Sequence, residues 1–238
     1  TSTLKAVGGS PASNGSAIIV GQGGSGSLTV QDSGQVTAAN FNLGSNPAFY
    51  PTSGGTGSLY LNGGTLSVPS VQNNTGATGN IYFNGGTLQA TASSSNFINA
   101  GGTFNAYVQS GGAVFDSNGN NITVGVPLQH YAGSPALDGG LTKVGEGTLT
   151  LSGSNTYTGG TNVTTGTLIV TNAGALPSGT SLTVGAGGTF VFDPTQAGSA
   201  VVSSGVVTTV PEPATLTLLG TALVGLGFVY LRWRRSKP

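Results

Sequence analysis

Cysteine is absent from this chain of 238 residues, and charge is scarce. Without cysteine there is no disulfide framework and no thiolate metal site. Charged residues make up 5% of the sequence, against roughly a quarter of an average soluble domain. Net charge is zero, but the cations are unevenly placed. Four of the six Lys and Arg follow Leu231, and before Pro211 only Lys5 and Lys143 stand, with no arginine. A domain with so few cations cannot neutralise a row of phosphates, which excludes nucleic acid as a partner. The chain opens Thr-Ser-Thr-Leu-Lys, with neither an initiator methionine nor an early apolar segment. Its start is therefore expected to be truncated or already processed.

The same scarcity argues against an enzyme and against a bound cofactor. The acids before Pro211 are Asp32, Asp116, Asp138, Glu146 and Asp193, scattered along the chain. Polysaccharide-cleaving sites need clustered carboxylates with Lys or Arg to stabilise developing charge. Asp138, Lys143 and Glu146 form the one local group and are expected to make a surface salt bridge or a contact at a rung edge. A Lys143–Asn isopeptide link is chemically conceivable, though no spacing demonstrates it. His130 is the sole histidine. It has no local partners for a zinc site, and its stretch, Val126 to Tyr131, reads as a connection between repeat blocks. No Gly-x-Ser-x-Gly elbow occurs, and no triad can be assembled. Gly-rich runs such as Gly21 to Gly26 have no lysine or helix after them, so they read as turns and not as phosphate loops.

What is present is glycine, 43 residues of it, between phased apolar residues. Residues 57–68 read GSLYLNGGTLSV and residues 79–90 read GNIYFNGGTLQA, 22 positions apart. GGTF at 101–104, GGAVF at 111–115, GTLTL at 147–151, GTLIV at 166–170 and GGTFVF at 187–192 continue the theme. Each unit is a short alternating strand, a glycine turn and a second strand. Leu59 and Leu61 share one face, as do Leu66 and Val68, with Thr65 and Ser67 outside. One unit cannot bury its apolar face, but stacked units can. The expected fold is all-β, a right-handed parallel β-helix or solenoid, with a β-sandwich built from the same hairpins as the alternative. About ten rungs would give a rod of roughly 50 Å. Stacked Thr, Ser and Asn avoid the like-charge repulsion that a repeated charge would suffer at about 4.8 Å.

Aromatic side chains are the remaining candidates for binding. Phe49, Tyr50, Tyr60, Tyr82, Tyr107 and Tyr157 are candidates for a partly exposed stripe. Tyr60 and Tyr82 occupy equivalent places in neighbouring repeats, which suits either ladder packing or a glycan contact. Asn-x-Ser/Thr triplets begin at Asn14, Asn73, Asn121 and Asn162.

The end of the chain has a different character. Val210-Pro211-Glu212-Pro213 leads into an uncharged apolar run from Ala214 to Leu231. As a helix rising about 1.5 Å per residue, that run covers about 27 Å, close to the hydrocarbon thickness of a bilayer. Arg232, Arg234, Arg235 and Lys237 follow it and are expected to remain cytoplasmic. Pro211 and Pro213 hold the preceding segment extended. The reading is an ectodomain over 1–209, then a tail over 210–238. The tail comprises the motif at 210–213, a transmembrane α-helix at 214–231 and a basic end at 232–238.

Two resemblances sharpen this. Residues 140–170 resemble the autotransporter-associated β-strand repeat of bacterial passenger domains. The match runs through Leu141, Lys143, Gly145, Gly147, Leu149, Leu151, Asn155, Tyr157, Gly159, Thr161, Val163, Gly166, Leu168 and Val170. It implies a parallel β-helix in an exported surface protein. The tail resembles the PEP-CTERM sorting signal. That resemblance implies processing near Pro-Glu-Pro by an exosortase, in a Gram-negative bacterium that makes exopolysaccharide, biofilm or floc matrix. The expected protein is a non-enzymatic matrix component, anchored transiently in the inner membrane and then held at the surface. Association with exopolysaccharide and self-association into fibres are expected partners. A carbohydrate-binding adhesin using Tyr60 and Tyr82 is the alternative.

Overall fold

The computed structural model describes residues 2–7, 17–44, 54–193 and 200–207. The expected transmembrane helix at 214–231 lies outside the described residues. Among the described residues no helix is long and apolar enough to cross a membrane.

The chain winds through three sheets in turn, parallel in every strand pairing but the last. Strand β1 (Ser2–Val7) is followed by β2 (Ala17–Val20), β3 (Ser25–Gln31), β4 (Gln35–Thr37) and β5 (Asn40–Leu43). The next rungs comprise β6 (Thr56–Asn62), β7 (Thr65–Val68) and β8 (Val71–Asn73), then β9 (Thr78–Phe83), β10 (Thr87–Ala90) and β11 (Ile98–Ala100). After them come β12 (Thr103–Val108), β13 (Ala113–Asp116) and β14 (Asn121–Val124), then β15 (Leu128–His130), β16 (Leu141–Val144) and β17 (Thr148–Leu151). Two long strands, β18 (Thr161–Val170) and β19 (Leu182–Phe192), precede β20 (Ala200–Val207). The first sheet is β1-β3-β6-β9-β12-β15, and a four-stranded sheet is β11-β8-β5-β2. The ten-stranded sheet holds the remaining strands.

This is a parallel β-solenoid of about seven turns. From β1 to β17 no two consecutive strands pair with each other, as hairpins of a sandwich would. Thr56 pairs with Ser25, 31 residues earlier, and with Thr78, 22 residues later. The glycine turn between β6 and β7, where Gly63 has a φ of 94°, turns a corner from one sheet to the next. The count falls short of ten because rungs are longer than the repeated motif, and because GTLIV and GGTFVF are not rungs of their own. GTLIV is the second half of β18, whose first half pairs with β16 and whose second half pairs with β17. The antiparallel strand β20 takes the remaining edge of β19.

Register turns sequence alternation into columns. Leu28, Leu59, Ile81, Ala106 and Leu128 stack inward in the first sheet, all fully buried. Val36, Leu66, Leu88 and Phe115 do the same in the ten-stranded sheet. Gly26, Gly57 and Gly79 also stack. They do so for clearance: a Cβ on Gly57 would lie 2.4 Å from the Val20 carbonyl oxygen and 2.7 Å from Leu43 Cα. The glycine column is what lets two sheets meet at that corner. The Phe104 ring fills the next position in the column. Gly57→Ala is expected to lower unfolding free energy by about 1–3 kcal/mol, as overpacking of a fixed backbone does. Chemical denaturation of the two proteins checks this.

Candidate functional site

The turn that carries the 140–170 pattern has a polar interior. Lys143 follows Phe115 and precedes Val163 in the inward column, and none of it is exposed. Its Nζ donates to the carbonyl oxygens of Val144 at 2.8 Å, Gly145 at 2.6 Å and Thr165 at 3.2 Å. Gly145, Gly147 and Gly166 all have positive φ. A Cβ on Gly166 would come within 2.8 Å of the ammonium. The glycines of the pattern thus fold the backbone around the amine. Burial lowers the Lys143 pKa from 10.5 to about 8, against the pull of Asp116 and Glu146. The expected surface salt bridge of Asp138, Lys143 and Glu146 is therefore corrected, because the amine is sealed inside and capped by backbone. The isopeptide idea is corrected on the same ground, since its hydrogen-bond partners are main-chain carbonyls and no Asn side chain.

His130, half-buried, and Asp138, buried, form a second polar group. Register places His130 after Val108 in an otherwise apolar inward column, on a strand and not in a connection. Its Nδ1 lies 2.9 Å from Asp138 Oδ2. The same carboxylate accepts from the backbone N–H groups of Gly140, Thr158 and Gly159. Burial pushes the Asp138 carboxyl up, but these donors and the His130 ring together hold it below its ordinary value. Asn155 and Tyr157 complete the interior. Asn155 accepts from the Leu128 N–H and donates to the Ala175 carbonyl. The Tyr157 hydroxyl lies 2.7 Å from Thr161 Oγ1, and burial pushes its pKa up. Tyr157 is thus a core residue and no part of an exposed stripe.

Outside, the tyrosines form a ladder. Tyr60, Tyr82 and Tyr107 are in register on β6, β9 and β12. Tyr60 and Tyr82 stack at 4.6 Å and 7°, and Tyr82 and Tyr107 at 5.3 Å and 26°. Tyr131 packs edge-to-face on Tyr82 at 5.6 Å and on Tyr107 at 5.7 Å. Partial burial, then the neighbouring phenols, raises the Tyr82 pKa. Sequence periodicity pairs Tyr60 with Tyr82. It does not find Tyr131, which lies two positions past Gln129, the register partner of Tyr107.

Tyr131 also opens an unusual corner. Other passages from the first sheet to the ten-stranded sheet take two to four residues, and this one takes ten, 131–140. Tyr131 pins one end and Asp138 the other, and Leu137 between them is 70% exposed. Among the described residues no group of three or more His, Asp or Glu gathers as metal ligands would. Phe49, Tyr50, Val210, Pro211, Glu212, Pro213, Arg232, Arg234, Arg235 and Lys237 lie outside the described residues.

Lys143 generates a pH prediction. In the folded chain it releases its proton near pH 8, while in the unfolded chain it holds it to about 10.5. Between those values the unfolded state binds more protons, so stability rises with pH. The gain begins near pH 8 and continues until tyrosine ionisation in the unfolded chain opposes it near pH 10. Denaturation midpoints of wild type and Lys143→Met across this window check it, the variant being expected to lose the upward slope.

Residues 141–170 match the model of the passenger-associated-transport-repeat, and residues 209–235 match that of the PEP-CTERM protein-sorting motif. Over 111 residues the chain is 32% identical to the adhesin BmaC autotransporter of Brucella suis biovar 1 (strain 1330). The aligned region is 44% of this chain and 3% of that relative, so the chain spans a small fraction of its length. No solved structure matches significantly. These matches identify an exported protein that carries a passenger-associated transport repeat within a parallel β-solenoid and a PEP-CTERM sorting motif after it.

Proposed function

We propose that this protein is a non-enzymatic structural rod of a bacterial surface or extracellular matrix, delivered through an exosortase-type membrane enzyme. The observation that carries the reading is the order of parts: a sparsely charged solenoid, then the matched sorting motif. In this reading residues 1–209 are the working rod, wound right-handed as parallel crossovers strongly prefer. Residues 210–238 are the address. The enzyme acts near Val210-Pro211-Glu212-Pro213. A helix over 214–231 holds the chain in the inner membrane of a Gram-negative cell until then. Arg232, Arg234, Arg235 and Lys237 keep its end cytoplasmic. A rod of small polar columns suits a biofilm or floc matrix containing exopolysaccharide. Unpaired strand edges at a solenoid end suit end-to-end association into fibres.

A second reading, a carbohydrate-binding adhesin, is favoured by the name of the Brucella relative. Sugars stack on aromatic faces, and the facing surfaces of Tyr60 and Tyr82 are occupied by each other. Those residues have edges and hydroxyls to offer a glycan.

Intact-mass analysis of the natively exported protein tests the sorting reading. A chain ending near Pro211 is expected, and a mass that still includes Arg235 would refute processing. Glycan-array binding by the full chain separates the two functional readings. The structural reading expects none that Tyr60→Ala and Tyr82→Ala abolish.

A further inference from the structure

An oxidising equivalent has few places to go on this rod. The chain has no Cys and no Met, and its single Trp, Trp233, stands in the tail. Tyrosine is then the most readily oxidised side chain of the solenoid. Tyr157 is sealed in the core, while Tyr60, Tyr82, Tyr107 and Tyr131 are half-buried and in mutual contact. The rings of Tyr60, Tyr82 and Tyr107 are stacked face to face, and Tyr131 meets two of them edge-on. Backbone register holds Tyr60, Tyr82 and Tyr107 one rung apart, so that any two neighbours meet at a high effective concentration.

We propose that this tyrosine ladder is a site of oxidative cross-linking, at which neighbouring rungs are joined as dityrosine by a peroxide-dependent oxidant of the haem-peroxidase class. The proposal goes beyond the sorting and matrix reading and stands on the ring geometry alone. Each of two neighbouring phenols gives one electron to the oxidant and its hydroxyl proton to water. The resulting phenoxyl radicals carry spin on the carbons ortho to oxygen. One such carbon from each ring couples in a new C–C bond. The hydrogens on those carbons leave as protons while the oxygens regain protons from solvent, which restores both phenols. In sum two hydrogen atoms leave the protein, and one hydrogen peroxide becomes two waters. The bond staples a rung to the next through side chains, in a rod that has no disulfide to do so.

The test uses the full chain in mild detergent, treated with a haem peroxidase and hydrogen peroxide, then digested for peptide mass spectrometry. Cross-linked peptides are expected to join Tyr60 to Tyr82 or Tyr82 to Tyr107 within one chain, in preference to every other tyrosine pair. Their yield is expected to fall at least about tenfold when the chain is first unfolded in guanidinium, because the high effective concentration is lost. Tyr82→Phe retains the ring and lacks the phenol. It is expected to abolish both links while leaving the circular dichroism spectrum unchanged. Coupling spread evenly over all tyrosines, links mainly between chains, equal yield after unfolding, or links that persist in Tyr82→Phe would each overturn the proposal. So would oxidation that yields no dityrosine.

Discussion

Parallel in-register stacking of backbone on backbone is the constraint from which the rest of this molecule follows. Each rung donates its hydrogen bonds to the next, so any residue type repeated at one position meets its own kind at about 4.8 Å. Apolar residues tolerate that spacing and gain by it, as the column from Leu28 to Leu128 does. Tyrosines tolerate it as stacked rings. Amides tolerate it by bonding along the column, as when Asn105 donates to Asn80. Repeated charges do not tolerate it. A composition with 5% charged residues is therefore a consequence of the architecture.

Polar groups inside the turn around 130–180 look like exceptions to that rule and in fact obey it. None of them repeats in its column. Lys143 sits between Phe115 and Val163, and His130 follows Val108. Each is surrounded by apolar neighbours along the rod and satisfied within its own turn, by carbonyls for Lys143 and by Asp138 for His130. A buried ammonium left unpaired would be strongly destabilising. The positive-φ glycines around Lys143 exist to bring carbonyls within reach of it. The pattern that matches the passenger-associated repeat is thus a description of one such self-satisfied turn.

The solenoid was legible because alternation and glycine spacing are local. GSLYLNGGTLSV and GNIYFNGGTLQA, aligned by eye, already pair Leu59 with Ile81 and Tyr60 with Tyr82, and the structure keeps that register. The number of turns was less legible. Loop lengths vary between rungs, and a motif such as GTLIV does not announce whether it begins a strand or continues one. The polar interior was least legible. Asp138 lies inside the ten-residue corner that follows His130, eight residues on, and their pairing depends on how that corner folds. Lys143 misleads by type, because an isolated lysine among threonines reads as a surface residue until its register is known.

The sequence by itself determined the repeat, the inward and outward faces of its strands, and the sorting motif after it, because each is written in short-range order that needs no partner. Only the tertiary structure decided how many turns the chain makes, that Lys143 and Tyr157 point inward, and that Tyr131 closes on the ladder. Those outcomes depend on which rung lies beside which. Register between distant segments is a property of the whole stack, set by packing across the core and by loop lengths together.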